Sequence, residues 1–377
     1  MQNRRTRVLI LVLIVGVSAI VYHSKIRRQM GDFAVYRTAA VRARASEPLY
    51  RPEDGHFQFK YLPAFAFAMS PFTLVNNETA KLIWFGLTVS LLIAFLSSSV
   101  RALPSRRRSR WALIGMTVIL MAKFYGHELT LGQSNVLFGS VLVAALLLLN
   151  FNRPNLAGVL IGVAVFVKPY ALLLLPWLAF TYGGAAAGAC MAVVAAGLIV
   201  PAAFYGWNGN LDLISAWFRT VTESTAPNLL SNDNISLAAM WAKWLGPGSI
   251  ASMLATASGV AAIVLSALVW LRRRTVDQPD YLEFALVMML VPLLSPQGWD
   301  YVLLLSTPAV ICLLDRWTQL ELGWRVFAGA SLGLMCFTIF DLMGRALYSR
   351  LMALSVVSVA ALGLVVVLAH LRWKAIA

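Results

Sequence analysis

Apolar runs of about 15–25 residues recur along almost the whole chain, each long enough, or nearly so, to cross a bilayer core of roughly 30 Å. No other feature narrows the fold as far. In hydrocarbon every backbone N–H and C=O must be bonded internally, so repeated runs without a strand-like alternation mean helices. Composition agrees, with 60% hydrophobic residues among 377 and a mean hydropathy of +0.75, which excludes a soluble globular class. We therefore expect an all-α, polytopic integral membrane protein of about 12 transmembrane helices. No repeat period, low-complexity tract or soluble insertion is visible, so a single membrane domain is expected over 1–377.

The formal charge of +15 would suit nucleic acid, but the basic residues sit in short clusters between apolar runs. That is the pattern of cytoplasmic loops and lipid-headgroup contacts, and no nucleic-acid partner is expected. RALPSRRRSR at 101–110 is the strongest cytoplasmic marker. Arg4, Arg5 and Arg7 hold the N-terminus inside, so a first span at about 8–24 runs outward. Tyr22-His23-Ser24 is a poor cleavage site, which favours a retained signal anchor. The expected location is the cell membrane, with loops 25–61 and 206–248 on the periplasmic side. Leu62–Val75, broken by Pro63 and Pro71, either re-enters or shares a crossing with a span at 79–100. Two short helices, 156–167 and 170–182, are expected to meet outside at Lys168-Pro169. Cys190, Cys312 and Cys336 lie in apolar runs without CxxC or histidine spacing, so neither a disulfide framework nor a zinc site is supported.

Candidate chemistry begins in the polar passage Gly31–Pro63. Asp32 stands just past a span, where a carboxylate is costly unless it is solvated or partnered. It suits a base that takes a proton from a hydroxyl, and equally an N-cap for a helix over Ala34–Arg44. The same loop breaches the positive-inside rule, with eight Lys and Arg from Lys25 to Lys60 against four acids. Anionic lipid phosphate is one reason to keep them; a tolerated breach is the other. Lys168, between two half-length apolar helices, suits a lipid-borne phosphate or snorkels to headgroups. The expected topology gathers these with Tyr36, His56, Lys60, Tyr61, the Gly132-Gln133-Ser134-Asn135 turn, Asn234 and Trp299-Asp300-Tyr301 at one leaflet. Gln133 and Asn135 can bond sugar hydroxyls or simply form a turn. Trp299 and Asp300 read as a sugar platform with a second carboxylate, or as an interfacial aromatic with a cap. No HExxH, Walker loop, GxSxG or DxD occurs, so peptidase, ATPase and nucleotide-sugar readings lose support.

Taken together, the Asp32–Tyr36 start, E-P-L-Y (Glu47–Tyr50), F-K-Y-L-P (Phe59–Pro63), L-G-Q-S-N (Leu131–Asn135), V-K-P-Y (Val167–Tyr170), N-I-S-L (Asn234–Leu237) and L-S-P-Q-G-W-D-Y (Leu294–Tyr301) resemble glycosyltransferase family 87 of the C-type superfamily. The resemblance implies the C-type fold and an inverting hexosyl transfer that needs no metal or other cofactor. The sugar, most often mannose, would pass from a polyprenyl-phosphate donor to a glycolipid or lipid-linked glycan. Asp32 would be the general base. Lys168, with Arg37, Lys60 or His56, would hold the donor phosphate. Tyr36, Tyr61, Gln133, Asn135, Asn234, Trp299 and Asp300 would contact sugar or acceptor. One departure is Asp300, where some members of the family carry His. A shorter C-terminal part also leads us to expect a different acceptor recognition. The alternative from another class is a lipid-linked-sugar flippase or transporter, which would line a path at mid-membrane depth.

Overall fold

The computed structural model describes residues 16–374, and every regular element among them is helical. The expected first span therefore lies partly outside the described residues; 16–24 are helical. The helices in chain order are α1 (Gly31–Arg44), α2 (Pro63–Ala68), α3 (Asn77–Ala102), α4 (Arg110–Leu131), α5 (Asn135–Asn150), α6 (Pro154–Val167), α7 (Leu175–Tyr182) and α8 (Gly184–Ile199). They continue as α9 (Ala202–Glu223), α10 (Leu237–Leu245), α11 (Ser249–Leu271), α12 (Asp280–Leu294), α13 (Thr307–Arg316), α14 (Leu322–Phe337), α15 (Phe340–Ala353) and α16 (Val356–Lys374).

Among the described residues, four segments are long and apolar enough to cross a bilayer: α3, α11, the Asp300–Gln319 run that includes α13, and α16. Three bent pairs raise the number to 7 if each is one span. The expected dozen is not reached on that basis, because several apolar runs make short helices or break at tight turns. Leu62–Val75 does not span. Its six-residue α2 and the 3-10 turn after it are too short, at about 9 Å for α2. Asn76 caps α3 by accepting from the Thr79 N–H at 2.9 Å, and Ser109 caps α4 in the same way.

Three expected loops are helical instead. The GHELTL segment belongs to α4, which runs on to Leu131, so only Gly132–Ser134 turn the chain. Residues 206–248 hold α9 and α10 rather than an irregular loop. Helix α9 is amphipathic, with Phe204, Trp207, Leu211 and Phe218 exposed on one side while Asn210 and Leu213 are buried. Such a helix suits the plane of a membrane interface. Residues 341–350 likewise fall in α15.

The ends of the helices segregate. At one end lie α1, the 132–134 turn, Lys168 and the Ser295–Asp300 turn. At the other, Arg107 and Arg108 N–H groups bond Asp315, Arg273 pairs with Asp280, and Arg372 donates to the Pro279 carbonyl. Three of the eight basic residues of the 25–61 loop pair with acids. Arg27 pairs with Glu78, Arg42 grips Asp54 through two bonds of 2.5 and 2.8 Å, and Arg51 pairs with Glu47. Internal pairing thus accounts for part of that loop's charge, and Lys60 is left in the cavity wall.

Two glycines fix the turns at the site end. Gly132 has φ +67° and closes α4, and a Cβ there would lie 2.9 Å from Phe33 Cβ. Gly298 lets the chain pass the Pro292 carbonyl, which a Cβ would meet at 1.9 Å. Gly298→Ala therefore lowers the melting temperature in detergent and costs about 2 kcal/mol or more, whereas Gly115→Ala, inside α4 with nothing within 4 Å of the added methyl, does not lower it and raises it slightly. Differential scanning fluorimetry of the purified pair checks this.

Candidate active site

A cavity of about 730 Å³ opens between α1, the 58–61 segment, the 132–134 turn, Lys168–Tyr170 and the Ser295–Val302 turn. Its walls come from sequence-distant elements, each fixed by bonds outside the cavity. The Met30 N–H donates to the Thr130 carbonyl at 2.9 Å and sets the start of α1 against the end of α4. Residues 60 and 61 are pinned by Trp217 Nε1–H on the Lys60 carbonyl and Tyr50 O–H on the Tyr61 carbonyl. The Ser295–Asp300 turn is tied to 233–235 by the Ile235 N–H on the Gly298 carbonyl and the Asp300 N–H on the Asp233 carbonyl.

Asp32 sits in the first turn of α1, and Met30, not Asp32, occupies the N-cap position. The cap reading is set aside. Its Oδ2 accepts from Gln133 Nε2 at 2.6 Å. Burial raises the Asp32 pKa above the ordinary carboxylate value, while the Gln133 bond and the charges of Lys168, His56 and Lys60 oppose the rise. Gln133 is shared, for its Oε1 accepts from Tyr36 O–H at 3.3 Å and its Nε2 also faces Tyr301 Oη at 3.3 Å. Tyr36 and Tyr61 hydroxyls lie 2.7 Å apart, and Ser134 Oγ donates to Tyr61 at 3.2 Å. One amide thus orients the carboxylate and joins it to three tyrosines.

The cations stand opposite. Lys168, the residue after α6, lies in the wall with its Nζ 5.9 Å from the centre of the Tyr61 ring. Lys60 Nζ donates to Gln297 Oε1 at 3.2 Å, and burial lowers its pKa against the attraction of Asp32. His56 is exposed at the rim. Trp299 stacks on Tyr301, with rings 6.5 Å apart and 10° from parallel.

Four expected site residues serve other ends. Arg37 points away and donates to the Phe72 and Val75 carbonyls, tying α1 to the turn after α2. Asn135 donates to the Glu128 carboxylate inside the bundle. Asn234, fully buried, donates to the Asn228 and Pro296 carbonyls and accepts from the Ser236 N–H, so it supports the turn from behind. Asp300 reaches the cavity wall, but its side chain is 2% exposed and ion-paired to Lys123 at 2.6 Å. A buried carboxylate already held by a cation makes a wall, not a sugar ligand.

Sequence reading missed Lys123, His127, Glu128 and Asp233. Lys123 and Glu128 are charges within an otherwise apolar helix, and their depth alone marks them. His127 lines the cavity with Nδ1 3.9 Å from Asp300. Asp233 lines it too and accepts from Tyr348 O–H at 2.6 Å, and nothing in the local sequence singles it out. Among the described residues no three His, Cys, Asp or Glu converge as metal ligands.

A helical membrane bundle that encloses a desolvated carboxylate opposite two lysines has the parts of a group-transfer enzyme. The sequence profile of glycosyltransferase family 87 matches residues 59–296, more than half of the chain. The chain belongs to that family and is a glycosyltransferase. No curated protein and no solved structure matches it. The matched segment contains Lys60, Tyr61, Gln133 and Lys168; it starts after Asp32 and His56 and stops before Trp299 and Asp300.

Lys123→Met leaves Asp300 buried and uncompensated and destabilises by about 3–5 kcal/mol. Combining it with Asp300→Leu recovers most of the loss, because an apolar pair replaces an ion pair. Thermal melting of the two singles and the double checks the coupling.

Proposed function

We propose that this glycosyltransferase moves a hexose, most simply mannose, from a polyprenyl-phosphate sugar to a glycolipid or lipid-linked glycan, with inversion. The observation that carries the reading is Asp32, held by Gln133 at 2.6 Å in a cavity that Lys60 and Lys168 also line. With Oδ2 occupied by the amide, the other oxygen is free to take a proton. The acceptor hydroxyl gives its proton to Asp32 as its oxygen bonds to the anomeric carbon. The bond from that carbon to the phosphate oxygen breaks, and its electron pair leaves with the polyprenyl phosphate. Charge grows on the phosphate, and Lys168 and Lys60 supply positive charge there without a metal. Tyr36, Tyr61 and Trp299 offer aromatic faces and hydroxyls to the sugars.

The interfacial helix α9 supports a lipid-borne substrate, since the residues that follow it, Thr225 and Asn228, line the cavity. The Arg-rich loops at the opposite end support a cavity that faces the periplasm across the cell membrane.

The test is transfer of labelled mannose from polyprenyl-phosphate mannose to lipid acceptors by purified protein in liposomes. Asp32→Asn lowers turnover by about 10²–10⁴-fold without loss of folding, and EDTA has no effect. Equal turnover in Asp32→Asn removes the proposed base. Scrambling of lipid-linked sugar with no product moves the reading to a transporter.

The rate also follows pH in a bell. Asp32 must be ionised, and its raised pKa puts the acid limb above the ordinary carboxylate value of about 4. Lys60 and Lys168 must be protonated, and burial lowers both pKa values, which puts the alkaline limb below about 10.4. Replacing both lysines by Arg shifts the alkaline limb upward, which a kcat–pH profile reads directly.

A further inference from the structure

A second cavity, of about 520 Å³, lies at the other end of the bundle. Helix α12 separates the two, with Asp280 at one end and Leu294 at the other, a rise of about 21 Å. Arg107, Arg316 and Arg372 line this cavity, from the α3–α4 loop, the end of α13 and α16. Leu103, Leu282 and Leu371 give it an apolar wall.

The guanidinium groups are incompletely neutralised. The Arg107 side chain has no carboxylate within 4.0 Å among the described residues and is exposed. Arg316 lies 3.8 Å from Asp315, whose oxygens already accept the Arg107 and Arg108 N–H groups at 2.9 Å. Arg372 is only 3% exposed and reaches Glu283 at 3.5 Å, an acid that Arg273 also approaches at 3.5 Å. Asp277, the carboxylate in the lining itself, is exposed. Around the mouth, stretches 101–110 and 272–275 hold eight arginines and no acid. A concave site in such a field concentrates anions.

We infer that this cavity binds a phosphate-bearing anion at the membrane boundary, with the phosphate on Arg107 and Arg316 and any lipid backbone against the leucines. Arginine forks match phosphate oxygens in pairs, and the amphipathic lining fits the junction of headgroup and chain. The site is independent of the transfer chemistry at the far end.

The experiment titrates the purified full-length protein, held in zwitterionic nanodiscs, with short-chain phosphatidylglycerol, short-chain phosphatidylcholine and inorganic phosphate, read by calorimetry. The expected result is saturable binding of one anion per chain and none of phosphatidylcholine. Arg107→Glu weakens it about tenfold, equal to about 1.4 kcal/mol, and Arg274→Glu, at the same end but outside the lining, changes it by less than about twofold. Because the exposed Arg107 side chain makes no hydrogen bond or ion pair among the described residues, its variant melts at the wild-type temperature, which separates lost binding from lost structure. Tighter binding of the lipid than of inorganic phosphate identifies a headgroup as the ligand; equal binding identifies free phosphate. Absence of saturable binding by both, or equal losses in Arg107→Glu and Arg274→Glu, overturns the site.

Discussion

The buried carboxylate of Glu128 sets the geometry on which the cavity depends. It accepts from the Val136 N–H at 2.7 Å and from Asn135 Nδ2 at 2.8 Å, so it caps α5 from the side of the preceding helix. A negative group at a helix N-terminus satisfies amides that have no partner within the helix and meets the positive end of its dipole. An acid of 0% exposure in a membrane bundle is expensive unless it is bonded in this way. The Glu128 carbonyl meanwhile accepts from the Gln133 N–H at 3.0 Å. The turn between α4 and α5 is therefore gripped from both its side-chain and main-chain faces. Trp84 Nε1–H on the Gly132 carbonyl locks the third side. With its backbone fixed there, the Gln133 amide is held between Tyr36, Tyr301 and the Asp32 oxygen to which it donates.

Charge divides the molecule into two ends that solve the same problem differently. At the cavity end, Arg27, Arg42 and Arg51 of the 25–61 loop pair with acids, and Arg37 is tied to carbonyls away from the cavity. At the other end the arginines outnumber their acids, and the surplus is left facing outward. The first arrangement lets a few selected cations, Lys60 and Lys168, dominate the cavity. The second makes a boundary that anions approach. Both follow from pairing geometry rather than from the number of basic residues, which is why a net charge of +15 says little about function.

Much of this was legible from the residues. The depth rule found Lys168, the isolated acid found Asp32, and the LGQSN pattern found Gln133, all of which line one cavity. The helical class followed from the apolar runs. Their number did not translate into spans, because Pro201 and Thr338 sit at helix breaks that hydropathy does not register. Arg37 is named as a phosphate helper only under the family resemblance, but five residues along a helix place its side chain on a different face from Asp32, and it bonds the carbonyls of 72 and 75 instead. Asn135 and Asn234 read as sugar ligands because amides serve both purposes. Only burial separates an amide that braces a turn from one that meets a substrate. Asp300 was ambiguous for a like reason, since its partner Lys123 lies 177 residues away and no local pattern joins them.

Three carboxylates, Asp32, Asp233 and Asp300, reach the cavity wall, and their partners decide which can act as a base. A base must keep affinity for a proton while remaining ionised in the ground state. Asp300 has a lysine 2.6 Å away and a side chain only 2% exposed, so it is already held and hidden from substrate. Asp233 accepts a short bond from Tyr348, and its main chain is committed to the Ser295–Asp300 turn. Asp32 has no cation within 4.0 Å among the described residues; it has a neutral amide on one oxygen, and burial acting on both. An amide orients a carboxylate without cancelling its charge. The lysines that line the same cavity oppose the rise in its proton affinity without pairing with it within 4.0 Å. Of the three, Asp32 is the one held by a neutral glutamine amide on one oxygen, where the other two have a lysine and a tyrosine, and this is what favours it as the proposed base.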